Sequence, residues 1–268
     1  MSHRIDALAY GNRLRWLPPG QKLAFAAVLL LLGLVAPPLV QGLISLWLAL
    51  WIVVYAAIPA RLYLPLLLLP LGFAIASLPA LLLQAVPLDA FTATARGDVW
   101  QQLARPLAGG WMLYVSQQGV GQAALLISRS LAASSCLMFV LLTTPFSELI
   151  AVLRRLRLPP LLLELLVLTY GFIFTLMGIA SELWVAQQAR AGRRGWRQRL
   201  KSLGVLVAQL LHRSLASYRG LAMGLAARGF DGELRVLAAE RHRGSPRHQR
   251  EAIAGCALLG ALSLGLGR

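Results

Sequence analysis

The chain has 268 residues, 58% of them hydrophobic and 13% charged, with a formal net charge of +16. Soluble domains are roughly one quarter charged, so this composition, with a mean hydropathy of +0.67, excludes an ordinary soluble enzyme and predicts an integral membrane protein. The basic excess does not imply nucleic-acid binding, because the Lys and Arg residues sit beside apolar runs where topology and anionic headgroups account for them.

In chain order, residues 1–22 carry Arg4, Arg13, Arg15 and Lys22 and read as a cytoplasmic N-terminus. From Leu23 to Ile58 there is no charge, too long for one span of about 20 residues. Pro37-Pro38 divides it into spans near 23–37 and 39–58. A third span is expected from Leu62 to Val86. Residues 87–122, with Asp89, Arg96, Asp98, Arg105 and Gly109-Gly110, read as an external loop with a short surface helix, Trp100 and Trp111 suiting the interface. A fourth span follows at 123–143; its Arg129 is either an intramembrane functional group or a side chain reaching the nearby interface.

A basic, helix-patterned segment then runs over 144–250. Ser147 is placed to cap a short helix that ends in Arg154, Arg155 and Arg157 before Pro159-Pro160. A long tract over 161–190 is apolar in its first half apart from Glu164 and mixed in its second. A third tract, 197–227, repeats Leu200, Leu203, Val207, Leu210, Leu211, Leu215, Tyr218, Leu221 and Leu225 at steps near three and four, one apolar helix face. Gly229 is placed as its C-terminal cap. Residues 232–250 form an Arg-rich tail, and 251–268 a C-terminal transmembrane helix in which Ala252, Cys256 and Gly260 make a small-residue stripe for close helix approach.

With 161–180 outside the bilayer, five spans put 22 of the 26 Lys and Arg residues on one side, which the positive-inside rule makes cytoplasmic. A sixth span at 161–180 would move the basic 190–250 region outside, so five spans are preferred and six remain the alternative. The fold class expected is therefore an all-α, multi-pass membrane protein with about five transmembrane helices and three cytoplasmic helices between spans four and five. No Gly-rich phosphate loop with a following Lys-Ser or Lys-Thr is present. His3, His212, His242 and His248 form no ligand cluster with each other or with Cys136 and Cys256, so no metal site and no catalytic residues are assigned. A membrane-embedded enzyme or a stand-alone carrier are the readings from other classes, and neither has a visible catalytic or coupling pair.

Two tracts close with similar words, Ala189-Arg190-Ala191 and Ala227-Arg228-Gly229. On the residues alone each is a solvated basic helix end favoured by the dipole. With Asn12-Arg13-Leu14-Arg15, Leu141-Leu142-Thr143-Thr144-Pro145, Glu164-Leu165-Leu166-Val167-Leu168-Thr169-Tyr170 and the continuation Phe230-Asp231-Gly232, however, the chain resembles the transmembrane T component of energy-coupling factor (ECF) ABC importers, cobalt-type (the CbiQ family). The resemblance covers nearly the whole chain; the first motif departs slightly, with Ala191 where the family often has Ser or Gly. It implies a non-enzymatic inner-membrane scaffold whose three cytoplasmic helices are coupling helices, with Arg190 and Arg228 docking into ABC ATPase subunits. It further implies a substrate-binding membrane subunit, the S component, and a small accessory membrane subunit as partners. No cofactor would be bound by this chain, ATP being bound by the partner subunits. The substrate implied is cobalt, with nickel or a vitamin as the alternative within the family.

Overall fold

The computed structural model describes residues 8–87, 99–107, 111–191, 196–229 and 244–266. Two compact units result, Met1–Pro145 with Glu240–Arg268, and Phe146–Ala239.

The first unit is the apolar one. Helix α1, Pro19–Val35, starts with proline in its first turn, where the missing N–H costs nothing. Pro38 opens α2, Pro38–Leu50, in the same way, so the paired prolines do divide the long apolar run. The last turn of α2 widens into a π-helical turn, Trp51–Tyr55, with Ala56 N–H donating to Trp51 O at 2.9 Å. Ala57 then takes φ +55° and the chain reverses into α3, Ala60–Leu82, which carries Pro65, Pro70 and Pro79 inside it.

The expected external loop with a surface helix is instead largely a small antiparallel sheet. Strands β1 (Leu83–Pro87), β2 (Val99–Leu107) and β3 (Trp111–Ser116) pair in the order β1-β3-β2, with an irregularity between Val99 and Ala104. The third expected span is shorter for this reason, its last residues having become β1. Asp89, Arg96, Asp98 and Gly109-Gly110 lie outside the described residues.

Helix α4, Gln117–Thr143, follows β3 directly; Ser116 caps it, its Oγ accepting from Gly119 N at 3.0 Å. A Cβ on Gly119 would lie 2.5 Å from Leu81 O, so only glycine lets α3 and α4 close up here. Helix α4 is the spine of the unit, packing against α1, α2 and α3. The Tyr63 hydroxyl meets Ser135 Oγ at 3.2 Å, and Ser128 donates to Gln41 Oε1 at 2.6 Å. Gln41 is fully buried and donates to Gly33 O and Ala36 O at 2.8 and 2.9 Å, so the α1–α2 turn is tied down inside an apolar unit. Arg129 lies on α4, and its Nε is buried without a hydrogen-bond partner among the described residues.

The last helix of this unit runs over Pro246–Leu266, so Pro246 to Arg250, read as the end of a polar tail, are its first turns. Ala252 and Cys256 of the expected stripe pack against the core, Gly255 lies against the Trp47 ring, and a Cβ on Gly260 would meet nothing within 4 Å. Cys136 and Cys256 are both free thiols.

The second unit is α5, Phe146–Arg155, then α6, Pro160–Ala191, and α7, Trp196–Ala227; the Pro246–Leu266 helix is α8. Phe146 stacks on Tyr170 with ring centroids 4.1 Å apart, joining α5 to α6. Arg213 on α7 meets Glu182 on α6 at 3.4 Å, and Leu183 and Ser214, the next residue on each helix, are buried. That ion pair is exposed and worth at most about 1 kcal/mol.

Candidate functional site

Both Ala-Arg-small words fall at helix ends in the second unit. Ala189, Arg190 and Ala191 close α6; Ala189 is exposed, and the side chains of Arg190 and Ala191 lie outside the described ones. Ala227 closes α7, and Arg228 and Gly229 turn out of it, their N–H groups donating to Leu225 O and Ala226 O at 3.1 Å. Gly229 has φ +71°, the left-handed conformation that ends a helix and that glycine adopts without strain. Ala227, Arg228 and Gly229 are all exposed. A guanidinium flanked by two residues without bulk at an exposed helix end is an accessible fork of donors suited to carboxylates and backbone carbonyls of another protein.

The apolar face of α7 is largely exposed, although Leu210 and Leu225 on it are half-buried. Leu200, Leu203, Val207, Leu211, Leu215, Tyr218 and Leu221 are each exposed, by between 45% and 61%. A run of seven large apolar side chains along one helix exceeds the scattered apolar exposure of ordinary surfaces and marks a contact surface or a bilayer.

A second feature carries the polar end of the membrane unit and was not assigned a role from sequence. Helix α4 ends at Thr143 with unsatisfied carbonyls, as every helix does. Asn12 Nδ2 donates to Leu142 O and Thr143 O at 3.3 Å, and Lys22 Nζ donates to Thr143 O at 3.0 Å. Both side chains are buried, and a cation at a helix C-terminus is favoured by the dipole. The two words quoted above, Asn12-Arg13-Leu14-Arg15 and Leu141-Leu142-Thr143-Thr144-Pro145, thus meet each other. Beside them Trp51 contacts Phe25, Phe139 and His248 at ring-centroid distances of 5.1, 6.4 and 6.1 Å, and Tyr55 lies 5.6 Å from His248. The signal in the sequence was a polar Asn and Lys flanking prolines just before an apolar run; the partner carbonyls, 130 residues away, were not readable.

Among the described residues four helices are long and apolar enough to cross a membrane, Pro38–Tyr55, Ala60–Leu82, Gln117–Thr143 and Pro160–Ala186, and Pro19–Val35 is a shorter apolar helix. Among the described residues no three His, Cys, Asp or Glu side chains converge as metal ligands would. Together these features define an all-α integral membrane protein that carries a small sheet and a second, helical unit with a largely exposed apolar face. The chain matches the cobalt transport protein family CbiQ over residues 11–237. It is 34% identical over 234 residues to the cobalt transport protein CbiQ of Rhodobacter capsulatus, covering 87% of this chain and 86% of that protein. It is 27% identical to the CbiQ of Salmonella typhimurium over 87% of this chain and 99% of that one. A putative fused cobalt transport protein CbiMQ of Methanocorpusculum labreanum is 29% identical over 90% of this chain and 38% of its own length. The chain belongs to the CbiQ family of cobalt transport proteins, membrane components of cobalt transport.

Proposed function

We propose that this chain is the transmembrane coupling subunit of an ECF-type cobalt importer, carrying ATP-driven movement of two ABC ATPase subunits to a separate substrate-binding membrane subunit. The observation that carries this reading is the second unit itself. Its two 32-residue helices each end in an Ala-Arg-small word, and α7 presents a largely exposed apolar face. Arg190 and Arg228 are the anchors to the ATPases, and the apolar face passes the movement on. The chain is then no enzyme and binds no cofactor itself; ATP belongs to the partner subunits. The fused CbiMQ relative supports a membrane partner, since there a Q-like part continues one chain with another component.

The proposed topology is five spans in an inner membrane with the N-terminus and second unit cytoplasmic. The apolar length of α6 favours a sixth span. Against it, α4 ends and α8 begins at the same end of the first unit. Lys22 and Asn12 hold Thr143 there, and Trp51, beside Phe25 and Phe139, touches His248. A segment that leaves and returns at one end crosses an even number of times, and α7, with Arg197, Arg199, Lys201, Arg213 and Arg219, is a poor second crossing.

The test is a detergent pull-down of the candidate ATPase with wild-type chain, Arg228→Ala and Arg190→Ala/Arg228→Ala. The expected result is progressive loss of the ATPase with membrane insertion unchanged. Normal assembly of the double variant would refute the anchor assignment.

A further inference from the structure

At the polar end of the membrane unit two cavities share walls. The larger, about 510 Å³, is an apolar groove between α1 and α8 with Phe25, Val28, Trp51, Phe139, Ile253 and Cys256 along it. The smaller, about 380 Å³, is lined by Arg13, Trp16, Tyr55, Ser245 and His248. Leu14, Leu17 and His248 border both, so an apolar and a more polar cavity adjoin across these three side chains. All of it lies within the first unit.

We propose that this site holds one anionic phospholipid, an acyl chain lying in the groove and the headgroup phosphate in the smaller cavity. The division of the site carries the choice of occupant. Arg13 is exposed and permanently charged, and its forked donors match phosphate oxygens. Ser245, whose Oγ lies 2.9 Å from His248 Nδ1, supplies a hydroxyl beside it, while the Tyr55 hydroxyl is engaged by the Glu251 carboxylate, itself paired with Arg247 at 2.9 Å. Trp16 is 61% exposed at the same cavity, an amphipathic ring placed for headgroup level. Basic pockets at the ends of membrane helices select anionic headgroups, and volumes of this size suit single bound molecules. A soluble anion would leave the groove empty. A transmembrane helix of another subunit would fill the groove and leave the forked donors of Arg13 to water. The amphiphile alone satisfies both halves.

The test is native mass spectrometry of the full chain from mixed micelles containing palmitoyl-oleoyl phosphatidylglycerol or phosphatidylcholine. One retained phosphatidylglycerol is expected, preferred over phosphatidylcholine by about fivefold or more, the effect of one basic residue at a membrane surface. Arg13→Gln should bring that preference close to unity while a lipid is still retained, and Arg13→Lys should keep it. Arg250→Gln, outside both cavities, should leave it unchanged. Ala24→Trp, at the exposed edge of the groove, should expel either lipid. Equal effects of Arg13→Gln and Arg250→Gln would reduce the site to general surface charge and overturn the proposal. So would a photo-crosslinker at Ala24 that labels another subunit of the assembled transporter instead of lipid.

Discussion

A methyl group on Gly255 would lie 2.8 Å from Trp47 Cζ2, 2.9 Å from Cε2 and 3.0 Å from Nε1. Carbon atoms pack best at about 3.5–4.0 Å, so Gly255→Ala must push the indole back by roughly 0.7 Å or part α8 from α2. Overpacking of this kind costs about 1–3 kcal/mol. Alanine also gains up to about 1 kcal/mol of helix propensity over glycine, so the comparison that isolates the contact is with Gly260→Ala. Nothing lies within 4 Å of Gly260, and that variant should be neutral or slightly stabilised. Unfolding in mixtures of mild and denaturing detergent, followed by circular dichroism, should separate the two alanine variants by about 1–3 kcal/mol. Trp47→Phe removes the crowding edge of the ring and costs no hydrogen bond, because Nε1 is buried without a partner among the described residues. Added to Gly255→Ala it should recover more than half of the loss. Equal stability of the two alanine variants, or no recovery in the double variant, would refute the contact as the determinant of α8 packing.

Three further outcomes are expected. Asn12→Ala leaves Leu142 O without its donor and should cost about 1–3 kcal/mol in the same unfolding measurement. Lys22→Met should cost less than the full value of a charged hydrogen bond because Asn12 still serves Thr143 O, and the two changes should be non-additive in a double-mutant cycle. In a Cys136→Ala/Cys256→Ala background, Ser217→Cys on the exposed surface of α7 should react with an impermeant maleimide in inverted vesicles and not in intact cells. Labelling in intact cells would refute the cytoplasmic placement.

The apolar helices were legible because their signals are local. Proline pairs at 37–38 and 159–160 and unbroken apolar runs mark boundaries without reference to the rest of the chain. The C-terminal cap of α7 was legible for the same reason, since Gly229 alone supplies the left-handed residue. The sheet at 83–116 was not, because Arg105 and Gly109-Gly110 in its neighbourhood read as loop, and strand pairing depends on partners a turn or more away. The start of α8 was missed because Arg247, His248 and Arg250 resemble the tail before them, although Ser245 followed by Pro246 at the first helical position and the i,i+4 pair Arg247–Glu251 are local start signals. Of the expected stripe, Ala252 and Cys256 do pack against the core, while the tightest contact is at Gly255 rather than Gly260, since which small residue meets the neighbouring helix depends on helix rotation.

Sequence by itself determined the membrane class, the basic second unit and the two Ala-Arg-small helix ends, because hydropathy, charge and capping are properties of consecutive residues. Tertiary structure alone decided that Asn12 and Lys22 close the end of α4, that Gly255 is where α8 meets α2, and that the segment after Thr143 returns to the end of the unit it left. Those are contacts between residues up to about 200 positions apart, and their energy comes from satisfying carbonyls and filling space around a common core, which no local pattern encodes.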